Sequence, residues 1–454
     1  MMVFDLTEQR KSFHALWNNI VFRINTGSRH YTDPMIQMIG PKGSGKTRLA
    51  QEIARSYPNV LYMSFEGQTQ EEALAMFQQM YLKNHDPLSD WEQAADAYMK
   101  EHASGYKLLI WEDEYNAVSR ACHSAFLKYH NDESANVVFC IIAEKKIGIW
   151  ENVFPVRYRT LAEYCKLFSA YEKKDIVRLF GLTEGIPAVA KELDPNKSYE
   201  ENLRTLLAFD SSFSTYLPQL LREAFRAPES YYPIIASIAR GKHRLSEIAK
   251  DVGFPNNKCG TYLDALIERG FVREEKNEPG AWARYYLANS YYIGWGRYVY
   301  GKQNLQIAKP DLLLQMVKES IDEAVALPAL HAACTRYIQG IRRWELLPVC
   351  DLQFPGAKGI KKAVSVKLRD GSTVILDYYG SDDGDSLFGI FPHELDKRYT
   401  KDEYERITEA ISQHEGLKSA HIFLFSLHRF SDWLVHKAAR SDLLYAVTVE
   451  RLKY

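Results

Sequence analysis

Sixteen residues, MIQMIGPKGSGKTRLA at 35–50, constrain the fold of this chain more than any other stretch. An apolar run ends at Ile39. The next eight residues, Gly40-Pro41-Lys42-Gly43-Ser44-Gly45-Lys46-Thr47, satisfy the spacing GxxxxGK[ST] at every fixed place. Glycines let the backbone turn tightly enough for several N–H groups to point at one spot. Arg48 then leads into RLAQEIARSY, where Leu49, Ala50, Ile53 and Ala54 share one helical face. A strand, a tight loop and a helix N-terminus in that order favour a bound anion. The pattern predicts a nucleotide site lined by Gly40, Pro41, Lys42, Gly43, Ser44, Gly45, Lys46, Thr47 and Arg48. Lys46 is expected to reach the β- and γ-phosphates of ATP, and the Thr47 hydroxyl to bind Mg²⁺.

The same alternation continues around the loop. VLYMSF at 60–65, LLIW at 108–111 and VVFCIIA at 137–143 read as further buried strands, separated by helical patterns. Residues 1–160 are therefore expected to form a parallel sheet covered on both faces. Residues 161–225 read as all-helical, and 226–303 as short helices followed by a hairpin. Residues 304–454 mix helices with strands such as KAVSVKL, STVILDYY and HIFLFSL.

A phosphate loop needs an acidic partner at the end of a neighbouring strand. KLLIWEDEYNAV supplies it, with Asp113 lying 67 residues after Lys46. One register gives Asp113 to Mg²⁺ and makes Glu114 the catalytic base for the attacking water; the other uses Glu112 and Asp113. The following strand ends in Ala143 and Glu144, without a Ser, Thr or Asn to sense the γ-phosphate. Arg157 and Arg159 stand either as an arginine finger or as solvated surface residues.

Composition excludes several classes. The 57 basic and 58 acidic residues leave a net charge of −1, so any nucleic-acid surface must be a local patch. The 6 cysteines form no CxxC pair, which fits a reducing compartment rather than a disulfide framework. The opening MMVFDLTEQRKSF lacks the pattern of a signal peptide, and no apolar run approaches the roughly 18 residues of a membrane span. The expectation is a cytoplasmic protein.

With GPKGSGKT and DEYN in place, the chain resembles the archaeal-type ATPase family, a prokaryotic branch of AAA+ and STAND-like P-loop ATPases. GLTEGIPAV is similar to the family's Gly-Gly-x-Pro segment. The stretch from REAFRAPESYYPIIASIARGKHRLSEIA through YLDALIERGFVREE to YYLANSYYIGWGRYVYG resembles its winged helix and aromatic segment. FDLTEQRKSF departs from the Phe-x-x-Arg-Glu box with which the family often opens. The resemblance implies an α/β chain with four parts. A P-loop NTPase (AAA+-like) domain covers 1–160, a helical lid 161–225, a winged helix-turn-helix domain 226–303 and a C-terminal α/β nuclease-like domain 304–454.

The residues of the third part read helix, turn, helix and wing. Asn256 or Asn257 is expected to cap the second helix, and Asn257, Lys258, Thr261 and Arg284 are the candidate contacts to double-stranded DNA. Asp264, Glu268, Glu274, Glu275 and Glu278 oppose that use, and a protein client remains the other partner class. In the last part, Asp377 occupies a nuclease-like place, but Ile390, Phe391 and Pro392 stand where Glu-x-Lys would fall. The resemblance thus implies a degenerate nuclease fold. Two functions follow. One is an ATP-binding, Mg²⁺-dependent ATPase acting as a molecular switch for the later domains. The alternative is a DNA-binding regulator that holds ATP as a structural ligand with little turnover.

Overall fold

A computed structural model of the chain describes residues 6–28, 34–64, 68–82, 87–102, 104–112, 117–130, 132, 135–146, 151–276, 282–340, 363–382, 385–414 and 420–452. The chain divides into two compact units, Met2–Tyr158 and Arg159–Tyr454.

The first unit is built on five parallel strands: β1 (Met35–Ile39), β2 (Val60–Met63), β3 (Lys107–Glu112), β4 (Val137–Ala143) and β5 (Asn152–Pro155). Their order is β2-β3-β4-β1-β5, so β1 and β4 are flanked on both sides. Successive side chains of a strand point to opposite faces, and each face has its own core. On one face Ile36, Met38, Leu108, Ile110, Val138 and Cys140 pack against α1 (Thr7–Arg23) and α2 (Lys46–Ser56). On the other, Met35, Leu109, Trp111, Phe139 and Ile141 meet α3 (Gln70–Tyr81), α4 (Trp91–Glu101) and α5 (Ala117–Leu127). Burial on both faces is why these strands read as unbroken apolar runs. The edge strand β5, only half apolar, did not stand out.

The second unit begins with helices α6 (Leu161–Leu167), α7 (Lys173–Thr183), α8 (Pro187–Ala190), α9 (Tyr199–Leu207) and α10 (Ser212–Ala224). It continues with α11 (Tyr232–Ala239), α12 (Leu245–Val252), α13 (Asn256–Glu268) and an antiparallel hairpin, β6 (Val272–Glu275) with β7 (Arg284–Leu287). Gly253, at φ 71°, ends α12. The expected Asn cap of α13 is corrected: its N-cap is Pro255, and the Asn257 side chain accepts from the Lys258 N–H instead. Next come α14 (Ser290–Tyr298), α15 (Gln303–Ala308), α16 (Pro310–Ile321) and α17 (Leu327–Gly340).

Glu184 ties several of these elements together. It follows α7 in the left-handed conformation (φ 48°) and is 5% exposed. Its carboxylate accepts from the Ser290 N–H and hydroxyl at the start of α14 and from Arg336 of α17 at 3.0 Å. Arg178 of α7 adds a two-pronged pair to Asp322, which follows α16, at 2.6 and 2.8 Å. Gly185, at φ 67°, lets its carbonyl accept the Arg159 N–H.

The C-terminal part carries a hairpin of β8 (Val364–Lys367) and β9 (Thr373–Leu376), and a separate sheet. That sheet is ordered β10 (Tyr378–Asp382), β11 (Asp385–Ile390), β12 (Ala420–Ser426), β13 (Leu444–Thr448). Its first pair is antiparallel and the others parallel. Helices α18 (Lys401–His414) and α19 (Asp432–Ala439) cover one face through Ile407, Ile411 and Leu434. The single strand expected over STVILDYY is corrected to two, β9 and β10, in different sheets. The break falls at Asp377, whose carboxylate turns inward to accept the Phe391 N–H at 2.8 Å.

A Cβ at Gly185 would lie 1.9 Å from the Arg159 carbonyl oxygen, on top of the unfavourable φ. Gly185→Ala is therefore expected to lower stability by roughly 2–4 kcal/mol, read as a drop in the urea midpoint.

Candidate functional site

The loop Gly40–Gly45 joins the carboxyl end of β1 to the amino end of α2. Parallel sheets bind ligands outside the carboxyl ends of their strands, where the strand order changes direction. Here β1 sends the chain towards β2 at the far edge, while β5 returns on its other side. The loop therefore sits at that crevice.

Backbone sterics fix its start. The Gly40 N–H donates to the Ala143 carbonyl at 3.2 Å, and the Val156 N–H donates to the Ile39 carbonyl at 2.7 Å. A Cβ on Gly40 would stand 1.9 Å from the Val156 oxygen, so only glycine fits between β4 and the end of β5. Gly43 and Gly45 adopt φ values of 76° and 93°, the left-handed region that glycine enters freely and that a tight anion-binding loop uses, while the Ser44 N–H between them donates to the Pro41 carbonyl at 3.2 Å. Gly45 is also the N-cap of α2, with no side-chain cap. The Tyr158 hydroxyl, missed in the sequence, donates to the Lys42 carbonyl at 2.8 Å and holds the outer rim.

The side chains divide by role. Lys46 Nζ donates to the carbonyls of Gly40 (2.7 Å) and Pro41 (3.0 Å), so its ammonium lies across the mouth of the loop. Ser44 is 2% exposed, and its hydroxyl has no hydrogen-bond partner among the described residues. A buried hydroxyl left unsatisfied costs about 1–3 kcal/mol, and a phosphate oxygen would satisfy it. Thr47 is exposed at the first turn of α2, and Arg48 pairs with Glu52 at 3.5 Å on the outside of that helix. These donors, on a glycine loop that leads into a helix N-terminus, fit a polyphosphate.

Of the acidic segment, the register locates only the Glu112 backbone. Ile39 pairs with Ala143, and Glu112 pairs with Ile142 across the other side of β4. Glu112 thus lies level with Met38, two residues before Gly40 opens the loop, about 10 Å away across two strand spacings. Asp113 and Glu114 follow it and lie outside the described residues. Ala143 commits its carbonyl to Gly40, and Glu144 is exposed. Arg157 is exposed, whereas Arg159, in the second unit, donates to Glu163 at 2.9 Å.

The other candidates differ in character. On α13, Lys258 lies over the rings of Phe254 (4.8 Å) and Tyr262 (5.8 Å), and the Thr261 hydroxyl donates to the Asn257 carbonyl. On the hairpin, Glu275 and Glu274 neutralise Arg273 and Lys276, while Arg284 and Trp282 are exposed; Glu278 lies outside the described residues. Asp377 is buried, accepting from Phe391 N–H and pairing with His393 at 2.8 Å. Burial pushes its carboxyl above the usual range, against the pull of that amide. No group of three or more His, Cys, Asp or Glu side chains poised for a metal occurs among the described residues. No helix among them is long and apolar enough to cross a membrane.

No family model matches the chain. An uncharacterized protein of Methanocaldococcus jannaschii is 23% identical over 296 residues, a match covering 58% of this chain and 64% of that relative's length. Similar solved structures include Drosophila ORC bound to DNA, 13% identical over 56% of this chain and 86% of that one, with a TM-score of 0.25. A signal transduction ATPase with numerous domains (STAND) from Pyrococcus horikoshii, carrying a tetratricopeptide repeat sensor, is 13% identical over 69% and 49%, with a TM-score of 0.25. A Vibrio cholerae protein is 12% identical over 93% and 90%, with a TM-score of 0.20. Likenesses this distant decide neither architecture nor role, which rest on the residues themselves.

Gly40→Ala is expected to open the junction between β1 and β5. Its unfolding temperature should drop by several degrees, and more than that of a control Ala54→Gly in α2.

Proposed function

We propose that the chain is an AAA+-like P-loop ATPase acting as a molecular switch, coupling nucleotide state to a winged-helix and C-terminal module. The observation that carries this reading is the loop itself. Left-handed glycines, a lysine bonded to the loop's carbonyls and a buried serine hydroxyl with no partner among the described residues converge at the carboxyl end of a central parallel strand.

Each residue then has a task. The loop amides and Ser44 hold the β-phosphate, and Lys46 exchanges its two carbonyl partners for phosphate oxygens, a charge-assisted bond stronger than the ones it leaves. Thr47 and Asp113 hold Mg²⁺, which when bound neutralises charge on the phosphate oxygens. Glu114 orients the attacking water and takes its proton. Ala143, where a polar sensor is absent, contributes only its carbonyl to the loop; this supports slow turnover and a switch rather than a motor.

Lys46→Ala should abolish ATP binding by isothermal titration; wild-type affinity in that variant would sink the assignment. Glu114→Gln should keep ATP affinity while lowering phosphate release by ~10²–10⁴. Phosphate release measured with and without double-stranded DNA tests the partner. Negligible release under both conditions, with ATP still bound, would favour a regulator that uses ATP structurally.

A further inference from the structure

The second unit contains a groove of about 300 Å³ between the end of α11, the end of α14 and the side of α16. Arg240, Arg297 and Lys302 line it together with Leu313, Met316 and Ser320 of α16 and the tyrosines Tyr298 and Tyr300. No carboxylate occurs among the described residues that line it. The helices meet closely here, because Gly296 offers no side chain: a Cβ there would lie 2.7 Å from the Ala239 Cβ.

The three cations are unequally satisfied. Arg297 Nε donates to the Ala239 carbonyl at 2.6 Å, capping the carboxyl end of α11. Arg240 pairs with Asp251, outside the groove, at 2.6 Å. Lys302 is half-buried and pairs with no carboxylate among the described residues. Helix capping accounts for Arg297 and the Asp251 pair for Arg240, but no carboxylate among the described residues offsets Lys302, the third cation of this concave site. Like charges gathered there raise the potential for an anion. Leu313 and Met316 give the groove apolar surface, and the Tyr298 hydroxyl is already bonded to Ser320, which also lines it, at 2.9 Å. A ligand that satisfies both the cations and this apolar surface carries a negative group at one end and a flat, weakly polar body at the other.

We propose that this groove binds a nucleoside monophosphate, with the phosphate on Arg240, Arg297 and Lys302 and the base against Tyr300 and Met316. A volume of about 300 Å³ lies at the small end of ligand pockets and suits one nucleotide rather than a strand. The site is separate from the P-loop and does not depend on the reading given to that loop.

The test is isothermal titration of the full chain carrying Lys46→Ala, which removes the P-loop lysine, with AMP, adenosine, inorganic phosphate and a ten-residue oligothymidylate. AMP is expected to bind once, and adenosine and inorganic phosphate each at least about tenfold more weakly. Lys302→Ala should weaken AMP by about fivefold or more, and Met316→Trp, at a position 37% exposed, should fill the groove and abolish binding. Both variants should keep the parent unfolding midpoint and, with Lys46 restored, the parent ATP affinity. Absence of saturable AMP binding overturns the proposal, as does AMP binding indifferent to Met316→Trp. Oligothymidylate binding tighter than AMP and lost in the same variants overturns it in favour of a nucleic-acid surface. Equal ATP affinity with and without Lys46→Ala would instead count against the P-loop reading and leave the groove standing.

Discussion

The first unit depends on the close approach of three backbones at Gly40. β1 can feed a phosphate loop only if its last residue is held between β4 and β5, and hydrogen bonds from Gly40 to Ala143 and from Val156 to Ile39 do this. The Val156 carbonyl occupies the space where a side chain would stand. With the strand end anchored, the two left-handed glycines determine where the amides point, and α2 starts where its dipole meets them. The two apolar cores serve this arrangement by fixing the sheet from both faces.

In the second unit a comparable role falls to a charge. Glu184 is buried in a backbone conformation that side chains rarely adopt, a combination that persists only when the surroundings satisfy it. Ser290 and Arg336 do so, drawing together residues that stand 106 and 152 positions away in the chain. Removing a partner would leave a buried carboxylate uncompensated, so the helices around it are coupled in position.

Much of the first unit was legible because its strands are buried on both sides. Runs such as MIQMI and VVFCIIA carry that burial directly in their composition, and GPKGSGKT carries the turn chemistry. β5 was not legible, since an edge strand needs little apolar surface and NVFP holds only two aliphatic or aromatic residues before a proline. The split at Asp377 was hidden for a different reason. STVILDYY is a continuous strand by periodicity, and the Phe391 amide, 14 residues on, together with His393 holds the Asp377 carboxylate where the strand breaks. The asparagines that open α13 were misjudged because a side chain that caps one helix end bonds a neighbouring amide in another.

The sequence by itself determined the phosphate loop, since glycine placement and the lysine-threonine pair are local chemistry that no distant residue supplies. It also determined the parallel α/β character of the first unit, because strand burial is written in the run of apolar residues. Only the tertiary structure decided which hydroxyl in the loop lacks a partner among the described residues, which tyrosine holds its rim and which arginine is bound up in an ion pair. It alone brought Arg240, Arg297 and Lys302 to one groove. Those properties depend on distance through space between residues far apart in the chain, and no short-range pattern encodes that distance.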